Sequence, residues 1–107
     1  IGPMLGQAHH FLGYAPAKIE YAMNRYRNEA NRLYGVLDKR LGEARFLAGD
    51  DYSIADIALF PWIANLIGFY GAGELVEYEQ FKNVARVLQQ FQARPAVQRG
   101  LNIPARD

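Results

Sequence analysis

Apolar residues in the first half of the chain recur at the three-and-four spacing of a helix face. Between residues 17 and about 41, Ile19, Ala22, Tyr26, Ala30, Leu33, Leu37 and Leu41 fall on one side, while Arg25, Asn28, Glu29, Arg32 and Lys39 lie mostly off it. That period predicts a long amphipathic α-helix. No proline interrupts it, and Gly35 alone weakens it. Ahead of it, residues 4–12 read as one short helix or the end of one, followed by punctuation at Gly13 and Pro16. Pro16 is placed to precede or begin the long helix.

Residues 54–66 follow a different pattern, apolar nearly all round, as expected of a helix at the centre of a bundle. Its start is written in Ser53-Ile54-Ala55-Asp56, a capping box. The serine oxygen accepts from the backbone N–H three residues on, and the acid at that position reaches back to the serine N–H. Tyr52 and Ile57 are spaced as a hydrophobic staple around that cap. Pro61 removes one helix hydrogen bond and predicts a kink or a small cost. Trp62 reads as core. Residues 42–51 form a connection that turns at Gly49-Asp50-Asp51, and Gly68, Gly71 and Gly73 break the chain again.

Phe81, Val84, Leu88 and Phe91 make the stripe of another helix, ending at Arg94-Pro95, with one short helix over residues 95–101 and a frayed tail after it. Nothing alternates with period two for long. The prediction is an all-α bundle of four to five helices without a sheet.

At 107 residues the chain has room for one domain. Its 12 basic and 11 acidic residues nearly cancel and form no like-charge block, which argues against nucleic acid and anionic membranes as partners. The absence of cysteine excludes disulfides, thiol catalysis and Cys-based metal sites within the chain, and fits a reducing, cytoplasmic setting. No apolar run approaches the roughly 20 residues that span a bilayer. The opening Ile1-Gly2-Pro3-Met4-Leu5 lacks both the shape of a secretory signal and an initiator Met, so the chain reads as a fragment or processed product. His9 and His10 are the only histidines. Neighbours on a helix point about 100° apart, so the pair does not make a metal site. Asp50-Asp51 reads as solvated turn chemistry.

Several segments together carry a resemblance. Residues 46–58, from Phe46 through the capping box to Ala58, then Phe60-Pro61-Trp62 and Phe91-Gln92-Ala93-Arg94-Pro95-Ala96-Val97, resemble the C-terminal helical domain of glutathione transferases. The opening Gly2-Pro3-Met4-Leu5-Gly6-Gln7 with His10-Phe11, and Tyr21-Ala22-Met23-Asn24-Arg25-Tyr26, are similar to the bacterial Nu-class branch, known for disulfide-bond reductase activity with glutathione.

The resemblance spans nearly all of residues 1–107. It implies a helical domain that normally follows a thioredoxin-like domain, with a first helix already under way before Ile1. It implies glutathione as co-substrate, a small electrophile or disulfide as second substrate, and homodimerisation. Without the thioredoxin-like half, apolar surface is expected around residues 1–15 and on the adjacent long helix.

By that resemblance Arg25 occupies the position whose guanidinium reaches glutathione in that branch, and Gln7 is expected as a further glutathione contact. The resemblance also implies that His10 and Phe11 line the second-substrate side, with Met4, Tyr14 and Tyr21 as weaker candidates. The chain contributes no catalytic nucleophile, and by itself it is expected to be inactive. Asp56 is expected to be structural. A different reading is a stand-alone helical interaction module of the kind found in translation factors and synthetase complexes. The Gly2–Phe11 and Arg25-Tyr26 pieces argue against it, because such a module needs no cleft residues.

Overall fold

The computed structural model describes residues 1–105. Among them the chain forms five α-helices: α1 (Gly2–His9), α2 (Glu20–Glu43), α3 (Ile54–Ala64), α4 (Lys82–Gln92) and α5 (Pro95–Leu101). No strand forms in that span, only an isolated antiparallel bridge between Phe46 and Gly49. The Cα trace extends 41 × 39 × 21 Å, so the helices form a flattened bundle.

The glycine-rich stretches do not stop the helices where the sequence suggested. Beyond α1 the hydrogen bonding widens into a π turn, His10–Tyr14, which passes through Gly13 and ends at an extended Ala15 (φ −59°, ψ 138°). That backbone is what a following proline imposes. Pro16 therefore sits in a bend, and α2 starts at Glu20 rather than at residue 17. A second π turn, Asn65–Phe69, prolongs α3 through Gly68. The chain breaks at Gly71, where φ is +60°.

The core is one cluster. α2 brings Ala30, Tyr34, Leu37 and Leu41 to it, α3 brings Leu59, Phe60 and Ile63, and α4 brings Val84, Val87, Leu88 and Phe91. On α2 the adjacent pair Leu33 and Tyr34 compete for one face. Tyr34 takes the core, against Phe81 (ring centroids 5.8 Å) and Tyr78 (6.2 Å), whereas Leu33 is only half-buried. Ile19 lies ahead of the helix and is exposed.

α4 has no capping side chain of its own. Asp38 of α2 supplies one, its Oδ1 accepting from the N–H groups of Asn83 (2.9 Å) and Val84 (3.1 Å). An anion thus meets the positive end of α4 and fastens it to α2.

The capping box of α3 is present. Ser53 Oγ accepts from the Asp56 N–H as expected and also from the Ala55 N–H (3.2 Å), while Asp56 Oδ2 accepts from the Ser53 N–H (3.0 Å). The fully buried Asp56 also accepts from Leu47 N–H through Oδ1 (3.2 Å), which pins the preceding loop.

Two expectations for α3 need correcting. It is not covered all round, since Ile54 and Ile57 are exposed, and Trp62 is not core but 38% exposed. α3 packs against α1 and α4, and its Ile54, Ile57 and Trp62 positions are left partly or largely to solvent. The covered edge of Trp62 lies beneath α1, where glycines permit the approach: a Cβ on Gly2 would stand 3.2 Å from the indole. Residues 102–105 of the expected frayed tail are exposed, and its last two residues lie outside those described.

Candidate functional site

α1 packs against α2, and an open hollow of 540 Å³ lies beside the first half of α2, lined by Met4, Tyr21, Asn24, Arg25, Tyr26, Asn28, Glu29 and Arg32. Positions 21, 25, 28 and 32 follow helical spacing, so one polar stripe of α2 supplies much of the wall. This stripe was visible in the sequence as the residues off the apolar face, but only Arg25 and Tyr21 were singled out from it. Asn24, Asn28, Glu29 and Arg32 were missed.

The electrostatics isolate one cation. Arg32 donates to both carboxylate oxygens of Glu29, from Nε and Nη2 at 2.8 Å each. That pairing holds the Glu29 carboxyl below the usual range, with smaller contributions from the charges of Arg32 and Arg25. Arg25 is exposed and makes no hydrogen bond or ion pair among the described residues. Its guanidinium carbon stands 5.9 Å from the Tyr26 ring centroid. The fork of Arg25 is therefore open to a ligand carboxylate, the geometry in which arginine binds by two parallel bonds.

Phe11 stacks flat on Tyr26 (centroids 5.4 Å, 6° between planes), so it supports the wall of the hollow from behind. His10 meets Phe11 (4.9 Å) and Tyr14 (5.3 Å) edge-on, making an aromatic group on the π turn. The hollow thus brings together Arg25, Tyr21 and Met4, and touches Phe11 through Tyr26. Gln7 is exposed and does not line it. Gln7 follows Met4 by three residues, which places it next along the same face of α1.

The two histidines have different surroundings. His9 is buried and stacks on Tyr70 (4.1 Å, 22°) with Trp62 at 5.9 Å, and its Nε2 meets no hydrogen-bond partner. Burial pushes its pKa down from the ordinary 6.5. In the sequence His9 stands out only as half of an adjacent histidine pair, and nothing local signals this packing role. Among the described residues no three His, Asp or Glu side chains converge.

A larger hollow of 760 Å³ lies between α3 and α5, walled by Ile57, Pro61, Trp62 and, from α5, Ala96, Val97 and Leu101. Its lining is predominantly apolar. Apolar exposure therefore occurs around Tyr14, Ile19 and Tyr21, as expected, and also on α3 and α5, which was not foreseen.

Comparison with known proteins gives these features a context. The family described as glutathione S-transferase, C-terminal domain, matches residues 20–90. Disulfide-bond oxidoreductase YghU of Escherichia coli (strain K12) is 48% identical over 101 residues, covering 92% of this chain and 35% of that protein. A glutathione transferase from Burkholderia graminis, solved with two glutathione molecules per subunit, superposes with a TM-score of 0.94 at 52% identity, over 99% of this chain and 45% of that one. A glutathione transferase from Pseudomonas putida, solved with one glutathione disulfide per subunit, gives 0.88 at 48% identity, over 97% and 46%. The chain thus spans less than half the length of each of these relatives. The match over residues 20–90, the helical order and the superposition agree, and the chain belongs to the glutathione S-transferase C-terminal domain family.

Proposed function

We propose that this chain is the helical part of a glutathione-dependent enzyme of the Nu-class type, contributing to the cleft in which glutathione and a small electrophile or disulfide meet. The observation that carries the reading is Arg25, a cation without a protein partner in a polar hollow whose other charges, Glu29 and Arg32, neutralise each other. Glutathione is a tripeptide with two carboxylates, and a planar guanidinium suits one of them. The glutathione and glutathione disulfide in the two solved relatives support the same ligand class.

In this reading Arg25 anchors glutathione and Gln7 extends the contact along α1. Phe11 and His10 form the wall toward the second substrate, and Phe11 acts by holding Tyr26 in place. In keeping with the family resemblance, the group that activates the glutathione sulfur belongs to a thioredoxin-like domain ahead of residue 1. That domain docks on the apolar hollow between α3 and α5. Homodimerisation engages the exposed Tyr14, Ile19 and Tyr21. Among the described residues no helix is long and apolar enough to cross a membrane, and the protein works in the cytoplasm.

The test is a calorimetric titration of glutathione into the full-length product of the native gene. A hydrogen bond to a charged group contributes about 1.5–3 kcal/mol, so Arg25→Ala is expected to weaken glutathione by roughly 10- to 150-fold, and Arg25→Lys by less. Unchanged affinity in Arg25→Ala would remove Arg25 from the site and the reading with it.

A further inference from the structure

The far end of the molecule holds a second polar feature. A hollow of 290 Å³ lies where the loop after α2 meets α3 and α4, and three arginines, Arg45, Arg86 and Arg94, line it together. Along α2, Arg25 and Leu41 are separated by about 24 Å, and the two hollows share no residue.

Each guanidinium is held in place without using all its donors. Arg94 lies over the Tyr52 ring with its carbon 3.6 Å from the centroid, and Arg45 over the Phe46 ring at 5.1 Å. A guanidinium stacked by its face keeps the N–H groups of its edge available. Arg86 donates from Nη2 to the Leu41 carbonyl (3.1 Å) and to Asn83 Oδ1 (3.4 Å), which leaves its other N–H groups unengaged.

None of the three has a carboxylate partner, since the ion pair among the described residues is Arg32 with Glu29. The acid on this lining is Asp56, whose oxygens already accept from the Leu47 and Ser53 N–H groups. Three guanidiniums against one engaged carboxylate leave the lining with a surplus of two positive charges. The remaining walls include the half-buried Phe46 and Tyr52 rings, which leave apolar surface exposed next to the cations.

We propose that this hollow binds a small phosphomonoester. The dianionic phosphate is held by the forks of Arg45, Arg86 and Arg94, and the organic group rests against the aromatic wall. The charge surplus selects a dianion over a monocarboxylate. The 290 Å³ hollow has room for a phosphate with a small organic group. The site is independent of the Arg25 hollow and does not rest on the proposed glutathione function.

The probe is phenyl phosphate, titrated into the full-length product of the native gene at constant ionic strength, with inorganic phosphate, benzoate and chloride as comparisons. The readout is the NMR signal of each arginine Nε–H. Saturable shifts at Arg45, Arg86 and Arg94, but not at Arg25, are expected, with phenyl phosphate tighter than inorganic phosphate and both tighter than benzoate. Arg45→Gln and Arg94→Gln are each expected to weaken phenyl phosphate at least tenfold while Arg25→Ala leaves it unchanged. Arg86 also caps a carbonyl at the end of α2, so the exposed Arg45 is the decisive variant should Arg86→Gln not fold. Equal response to chloride, shifts confined to Arg25, or full affinity in Arg45→Gln would each overturn the proposal and leave the stacked arginines with a purely structural role.

Discussion

Asp56 tests how much of the loop and α3 depends on one carboxylate. Seen as a cap alone, its loss costs on the order of 1 kcal/mol. The structure raises that figure. Asp56 is fully buried, and its two oxygens accept from two different backbone donors, Ser53 N–H at 3.0 Å and Leu47 N–H at 3.2 Å. Hydrogen bonds to a charged group contribute about 1.5–3 kcal/mol each, and a donor left unpaired keeps its desolvation penalty. The Ser53 and Leu47 environments are only partly buried, so water recovers some of the loss, and Asp56→Ala is expected to destabilise by about 3 kcal/mol. Near the midpoint, 1 kcal/mol moves Tm by roughly 4–8 °C in a domain of this size, so a fall of at least about 12 °C follows. Urea unfolding followed by far-UV circular dichroism gives the free energy directly, with m unchanged if the two states keep their compactness. Ser53→Ala, which removes only the hydroxyl cap, should cost about 1 kcal/mol. Asp56→Asn, which keeps one acceptor oxygen, should fall between the two. A loss of about 1 kcal/mol or less for Asp56→Ala would refute the reasoning, because the Leu47 bond would then contribute nothing. Glutathione affinity is expected to survive Asp56→Ala, since the Arg25 hollow lies at the other end of α2.

Tyr34 is fully buried and its hydroxyl meets no hydrogen-bond partner in the protein. Tyr34→Phe is therefore expected to stabilise by roughly 1 kcal/mol, and a lowered Tm would show that the hydroxyl was paired after all. Burial also holds the Tyr34 hydroxyl far above the ordinary tyrosine range, so its ultraviolet ionisation signal is expected to be missing from an alkaline titration until the chain unfolds. Burial lowers the pKa of His9 from 6.5. Below pH 6.5 the unfolded chain takes up the proton more readily than the folded one, so this contribution to stability is complete above that pH and is lost as pH falls. Replacing His9 by Phe, which preserves the stack on Tyr70, should remove that part of the acid dependence; an unchanged pH–stability curve would exclude His9 as its source.

The periodic parts of the fold were readable because one physical rule governed them. α2, α4, α5 and the capping box of α3 follow from helical spacing and from the local chemistry of Ser53 and Asp56. Where two rules competed, the sequence did not decide. Leu33 and Tyr34 both satisfy a helical face, and only the placement of Phe81 and Tyr78 selects Tyr34. Glycine at positions 13 and 68 signals a break, yet π turns carry both helices through. The Leu47 bond to Asp56 and the Asp38 cap on α4 link residues 9 and 45 or more positions apart, beyond the reach of local pattern. In the candidate site Arg25 came from a family resemblance. The pairing that neutralises Glu29 and Arg32 has ordinary i, i+3 spacing and could have been read from sequence. The Phe11 stack on Tyr26 needed the turn between α1 and α2.

Trp62 links the apolar hollow beside α3 to the helix that borders the Arg25 hollow. Its covered edge lies under Gly2 and Gly6 of α1, the helix that carries Met4 to the Arg25 hollow. The same side chain also walls the apolar hollow against α5. The two glycines set how closely α1 approaches, because a Cβ at Gly2 would already press on the indole at 3.2 Å. A partner domain seated in the apolar hollow would therefore bear on Trp62, and through it on the position of α1 and Met4. The polar hollow suits a small hydrophilic ligand, whereas the apolar one suits a protein surface. Since the chain holds a single tryptophan, its fluorescence reports both on the contact with α1 and on the apolar hollow. Docking and ligand binding that act independently would change it additively, whereas coupling through α1 would make the change produced by glutathione depend on whether the apolar hollow is occupied.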